Sequence, residues 1–463
     1  MRASHRPRPV ATLRGAALLA AGLAGLFLIA ACSKDKSVDQ PAKLTPLQVT
    51  LRVQKVWSAS IGEKKEIALR LGLGVTIANN RVYAAGYQGE VAALELGNGR
   101  VAWRTRLKAP LSGGTAANAT LVTVGASDGQ FFALNAASGK LLWKVRLNGE
   151  VLAPADLSDK LLVVRTVDGK LHGLSAADGH ELWSAEQQVP RLSLRGTARP
   201  VIVGELVLCG FDNGKVLAVN AGDGSVQWEA TVTPPHGRTE LERLSDIDSA
   251  VDVAGQNVYA VGFQGRVAML ALDTGQTWWS HEASSYRGLT LDDDALYLST
   301  ADGEVVALKT RTGAELWRQK ALLHRGLSGI AVMDNALVTA DFQGYVHWLD
   351  KATGALAARE RSGKVRVSTT PAVAGDMAVV INDRGQISAW RVSALPGAKA
   401  APVPAAQQAT TPAPAPAAET PAPANPAAAP AGTAEPAAPP APAPPTAPPQ
   451  AAPETAQPPP GGS

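Results

Sequence analysis

The chain is poor in the residues that most often carry chemistry. It has two cysteines, seven histidines and four methionines in 463 residues. Two cysteines cannot build a disulfide framework or a four-cysteine zinc site. The histidines (His5, His172, His180, His236, His281, His324 and His347) are scattered, with no pair at metal-ligand spacing. The GxxxxGK[ST] and HExxH patterns are also missing, which removes the usual sequence signatures of P-loop enzymes and zinc proteases. The formal charge of +4 is no sign of a nucleic-acid partner. Arg2, Arg6, Arg8 and Arg14 supply it, and residues 1–31 hold no acidic residue. Without them the charge is zero, and no Lys/Arg cluster appears elsewhere, so no nucleic-acid partner is expected.

A 17-residue apolar run, Gly15–Ala31, follows those arginines. It is short for a membrane span, which needs about 20 residues. A basic stretch followed by such a run reads as an export signal. The run ends in Ile29-Ala30-Ala31-Cys32, followed by the polar SKDKSVDQ. This end resembles the lipobox of bacterial lipoproteins. The resemblance implies a signal peptide over 1–31, acylation of Cys32 and a tether over 32–50. It also implies a palmitate-type membrane anchor. Ser33 in place of Asp resembles the sorting rule that lets a lipoprotein pass to the outer membrane. The other cysteine, Cys209, lies in the apolar run VIVGELVLCG and is expected to be a small buried residue.

What the chain does have is a repeat. QGEVAALELGNGRVAW, DGQFFALNAASGKLLW and NGKVLAVNAGDGSVQW are three copies of one unit. The leading glycines are Gly89, Gly129, Gly169, Gly214, Gly265, Gly303, Gly344 and Gly385. Each marks a tight hairpin turn, an apolar strand follows, and a second glycine opens the next turn. A tryptophan closes the unit fourteen residues after the first glycine: Trp103, Trp143, Trp183, Trp228, Trp279 and Trp317. With an upstream apolar strand and an innermost one, each repeat makes four antiparallel strands. Such a sheet covers both faces only by packing radially on copies of itself. The expected fold is therefore all-β, an eight-bladed β-propeller over 51–394, with the tryptophans packed between blades.

The eighth unit lacks its outer strand, because Leu395 and Pro396 stand where the second turn should be. VQKVWSASIG, residues 53–62, supplies a tryptophan in the right setting. The N-terminal strand is thus expected to close the ring, with Trp57 as the eighth tryptophan. Ala358 breaks the series in blade 7, and the sequence offers no reason. Residues 395–463, rich in Ala and Pro, cannot bury a core and are expected to be a disordered tail.

Spacing singles out one surface. From each tryptophan to the next leading glycine the chain takes 24 to 27 residues, except 31 from Trp183 to Gly214 and 37 from Trp228 to Gly265. LSLRG (192–196) lies in the first long connection and LSDID (244–248) in the second. Arg195 and Asp246 each stand 19 residues before their leading glycine, which puts them side by side on one face of the ring. Loops on a rigid scaffold are where binding tends to sit. Leu192 and Leu194 offer apolar anchors. Arg195, Asp246 and Asp248 offer charge. The alternative is that both leucines begin an innermost strand and Arg195 pairs with Asp246. The run Asp292-Asp293-Asp294 is read as a turn between strands rather than a calcium site.

The ALxAxTGxxxW pattern resembles the repeats of pyrroloquinoline-quinone dehydrogenases, which are eight-bladed propellers. Their adjacent cysteine pair is absent, and the blades lack the insertions that build the quinone pocket. No catalytic residue, cofactor or metal is therefore expected. The lipobox, the short quinoprotein-like blades, LSLRG and LSDID together resemble the BamB family of outer-membrane assembly lipoproteins. The likeness covers roughly 32–394. It implies a non-catalytic scaffold of the β-barrel assembly (BAM) machinery at the periplasmic face of the outer membrane. It further implies that Leu192, Leu194, Arg195, Asp246 and Asp248 contact the POTRA domains of BamA, and that propeller edges receive nascent outer-membrane strands. The other readings are a quinone- or ligand-binding periplasmic enzyme and a polymer-binding lipoprotein working through its tail.

Overall fold

The computed structural model describes residues 39–62 and 72–395. The expected signal peptide, Cys32 and the Ala/Pro tail beyond Leu395 lie outside the described residues. Within these bounds the strands form eight four-stranded sheets, all antiparallel, seven of them simple meanders. In blade 1 the strands run Thr76–Ala78, Arg81–Gly86, Glu90–Glu95 and Val101–Arg106, from the axis outward. The first strands of neighbouring sheets touch one another around the axis. The second and third strands are buried on both faces, as in RVYAAG and EVAALE. Outer strands alternate buried and exposed residues because only their inward side is covered.

The two faces of the ring differ. One carries the leading-glycine hairpins and the connections from each outer strand to the next innermost strand; it is called the connection face here. The other carries the turns between first and second strands and between third and outer strands.

Each blade tryptophan is a clasp onto its neighbour. Trp103 donates its indole N–H to Ala136 O at 2.9 Å, and Trp183 to Ala221 O at 2.9 Å. Its ring lies on the second glycine of the next repeat. A Cβ on Gly139 would come within 2.4 Å of the Trp103 ring. That glycine is therefore fixed twice, by a positive φ of 70° and by the ring above it.

The ring closes as the repeat count requires. Leu51–Ser60 pairs antiparallel with Gln386–Ala394 and forms the outer strand of blade 8, beside Met377–Ile381 and Ala372–Ala374. Trp57 packs with Val82, Leu94 and Leu96 of blade 1 and donates to Leu96 O at 2.7 Å. Both ends of the ring thus share one blade. Asp292 sits in the turn between the first two strands of blade 6 and pairs with Lys351. Cys209 is fully buried, and loss of water there pushes its thiol up to about 12.

Candidate partner-binding surface

LSLRG and LSDID both lie on the connection face, between blades 3 and 4 and between blades 4 and 5. Neither is strand: the innermost strand of blade 4 begins at Val201, so Leu192 and Leu194 do not start it. Leu192 is 41% exposed, whereas Leu194 and Asp248 are partly buried.

The LSDID segment is fastened from below. Ile247 is fully buried against Gly210 and donates its N–H to Phe211 O at 3.1 Å. Phe263 donates its N–H to Asp246 O at 2.9 Å. This holds the Asp246 carboxylate toward the neighbouring connection, where it accepts the Leu194 N–H. Asp248 lies against Gly196; a Cβ on that glycine would sit 3.0 Å from the carboxyl carbon. The two long connections are therefore joined through main chain and carboxylate.

Arg195 does not pair with Asp246. Its Nη2 reaches Glu150 Oε1 at 2.7 Å, in the connection between blades 2 and 3, and its side chain is 41% exposed. Three consecutive connections are thus linked, with Leu192 and Arg195 outermost.

Beneath them lies a charge cluster that spacing did not reveal. Arg165 is fully buried and bonds Asp212 Oδ1 at 2.6 Å and Gly210 O at 2.7 Å. Its guanidinium lies 4.4 Å from the centre of the Phe211 ring. The signal was present: in LLVVRT an arginine stands where the other blades have Ala85, Gly125, Gly210, Val261, Ser299, Ala340 or Ile381.

Arg165 cannot balance three nearby carboxylates. Asp246 is fully buried, and its Oδ1 has no protein hydrogen-bond partner. Loss of water raises its pKa to about 6; Asp212 adds to the rise, while the Leu194 N–H and Arg165 oppose it. Asp248 is held well above the carboxylate range by the same loss of water and by Asp246 and Asp212. Its Oδ1 is also buried without a protein partner. Two acceptor oxygens are therefore poised under an exposed leucine and arginine. Among the described residues no His, Cys, Asp and Glu group has the geometry to hold a metal ion.

A family model described as outer membrane protein assembly factor BamB matches residues 51–114, 87–319 and 301–417. The chain belongs to the BamB family. It is similar to the BamB of Pseudomonas aeruginosa, with 46% identity over 377 residues, 81% of this chain and 98% of that one. The BamB of Kangiella koreensis is 43% identical over 360 residues, 78% and 92% of the two chains. Among solved structures, BamB from Moraxella catarrhalis superposes with a TM-score of 0.68 at 27% identity, covering 73% of this chain and all of that one. The quinohemoprotein alcohol dehydrogenase from Comamonas testosteroni superposes at 0.59 with 12% identity, covering 73% and 76% of the chains. That likeness is one of fold alone.

Proposed function

We propose that this chain is a non-catalytic scaffold of the β-barrel assembly machinery, assisting the folding and insertion of outer-membrane β-barrel proteins. The BamB relatives are named as outer membrane protein assembly factors, which supports work at the outer membrane. Cys32 carries the lipid anchor, and the ring works on the periplasmic face. Acyl chains at Cys32 together give firm anchoring, where one chain alone binds only marginally.

The partner is BamA, through its POTRA domains. Leu192, Leu194, Arg195, Asp246 and Asp248 form the surface that meets it. The observation that carries this reading is the joining of LSLRG to LSDID by the Asp246 carboxylate and the Leu194 N–H. A fixed, partly apolar patch with exposed Leu192 and Arg195 suits a protein contact whose energy is concentrated in few residues. The test is capture of purified BamA POTRA domains by wild-type chain and by Leu192→Ala and Arg195→Ala, with the melting of each variant recorded. Unchanged capture by folded variants removes this surface from the interface.

A second role, reception of nascent β-strands, draws on the outer edges. Leu142, Leu182, Trp278 and Leu316 are exposed there, each just before its blade tryptophan. Each also falls at a bulge in the outer strand. A bulge blunts edge pairing, so strand addition would use the short stretch after it.

A further inference from the structure

The segment before the closing strand does not hang free. Ala42 donates its N–H to Leu323 O at 2.9 Å, and Arg325 Nη1 donates to Ala42 O at 2.9 Å. Leu44 packs on the cluster that includes Trp317, Leu322 and Leu327. Arg359 donates to Thr45 O at 3.1 Å, and Thr50 N–H to Ala357 O at 2.9 Å. Leu323 and Arg325 lie in the connection between blades 6 and 7, whereas Ala357 lies near the opposite end of the outer strand of blade 7. Residues 42–50 therefore run down blade 7 from the connection face, and Leu51–Ser60 runs back up as the edge of blade 8.

The upper end of this segment is held by a rigid group. Arg325 is buried and bonds Asp341 Oδ2 at 2.8 Å through Nε and Gln343 Oε1 at 2.6 Å through Nη2. His347 Nε2 meets the same Asp341 oxygen at 3.1 Å, and both side chains are fully buried. With its other two nitrogens fixed, the guanidinium presents Nη1 to the Ala42 carbonyl in one direction.

We infer that residues 42–50 are a docked strap that leads the anchored end of the chain out at the junction of blades 6 and 7, so that this rim of the connection face is the part of the ring nearest the membrane. The inference rests on Cys32 being the anchor. From Cys32 to Ala42 there are ten residues, which span at most about 36 Å when fully extended; as a flexible chain they span roughly 18 Å. Were the segment undocked to Leu51, the extended reach would be about 68 Å, enough for the ring to tumble. The strap leaves the same face as LSLRG and LSDID, a quarter-turn or more around the ring. A BamA-bound patch and a membrane-bound rim can then be engaged together, which raises the effective concentration of each contact.

The test uses the full lipidated chain in vesicles of phosphatidylethanolamine and phosphatidylglycerol with acceptor-labelled headgroups. Donor dyes are placed at Lys320→Cys, on the connection face beside the junction, or at Asn335→Cys, at the opposite end of blade 7. Energy transfer is expected to be clearly stronger from position 320. Ala42→Pro with Leu44→Ser, which removes the N–H and the apolar contact while leaving every blade residue in place, should erase the difference. Amide exchange at Thr50 should be about tenfold or more slower in wild type than in that variant. Equal transfer from the two positions in wild type, or a difference that survives strap release, overturns the inference. Failure of the anchor is seen separately, as equal vesicle binding by Cys32→Ser.

Discussion

Trp348 lies directly opposite Ala358 on neighbouring strands of blade 7, the reverse of the arrangement in the other blades. Elsewhere the tryptophan is on the outer strand and faces a smaller residue on the third, as Trp103 faces Ala93 and Trp57 faces Ala389. The exchange explains the missing tryptophan at 358. An outer-strand tryptophan needs the second-turn glycine and carbonyl of the next blade. Blade 8 has no such turn, because its third strand runs on to Ala394 and its outer strand comes from the N-terminus. Trp348 instead packs edge-on against Trp390 with ring centres 5.9 Å apart.

Trp348→Ala should therefore cost about 3–5 kcal/mol of stability, as for other large buried aromatics. Ala358→Trp should not recover it in the double variant. The added ring would press on Leu51, Val53 and Val392 of the same cluster, and overpacking alone costs about 1–3 kcal/mol. Urea unfolding of the two single variants and the double variant checks this; full recovery in the double variant would show that blade 8 accepts an ordinary clasp.

Removing residues 51–62 should destabilise the ring as a whole, since blade 8 loses its outer strand and blade 1 loses Trp57. Trp57→Ala by itself should cost about 3–5 kcal/mol. A truncated chain that melts like the full one would refute closure by this strand.

On the proposed partner surface, Leu192→Ala and Arg195→Ala should leave folding nearly unchanged. Leu192 is exposed, and the Arg195–Glu150 pair is a surface pair, which contributes about 0–1 kcal/mol. The same changes should weaken BamA capture by about 2 kcal/mol, roughly thirtyfold. Leu194→Ala and Asp248→Ala should weaken it too, with some loss of stability because both are partly buried. Asp246→Ala should affect both quantities, because it frees the Leu194 N–H and unties the two connections. Calorimetric titration beside thermal unfolding separates the two effects.

Asp246 gives a pH signature. Its folded pKa is raised to about 6, against about 4 in an unfolded chain. The folded state then holds the proton more tightly, so this group's contribution to stability is present below about pH 4 and is lost as pH rises through 6. Asp246→Asn keeps an acceptor for the Leu194 N–H and removes the titration. The stability of wild type relative to this variant should fall between pH 4 and 6 and level off above it. A flat difference would mean that Asp246 is not desolvated in solution.

Arg165→Met should cost about 3–5 kcal/mol, because it strands the Asp212 carboxylate in the interior. Asp212→Leu added to it should recover much of the loss. The pair of unfolding curves decides whether this ion pair is needed for folding or only tolerated by it.

The eight blades, their closure by the N-terminal strand and the packing role of the tryptophans were all readable from the chain, because each follows from a local period. A glycine allows a turn, an apolar alternation makes a strand, and a tryptophan at fixed phase meets the same neighbour every time. The two long connections were readable as well, as departures from that period. Their internal contacts were not. Asp246 reaching the Leu194 N–H, Arg195 choosing Glu150 over Asp246, Asp212 held by Arg165 and Ala42 held by Arg325 join residues far apart in sequence, in segments that obey no repeat. Composition and spacing fix which blade a residue occupies; they do not fix which way an irregular loop turns. That was decided only when the ring closed and brought neighbouring connections close enough for one buried carboxylate to find its donor.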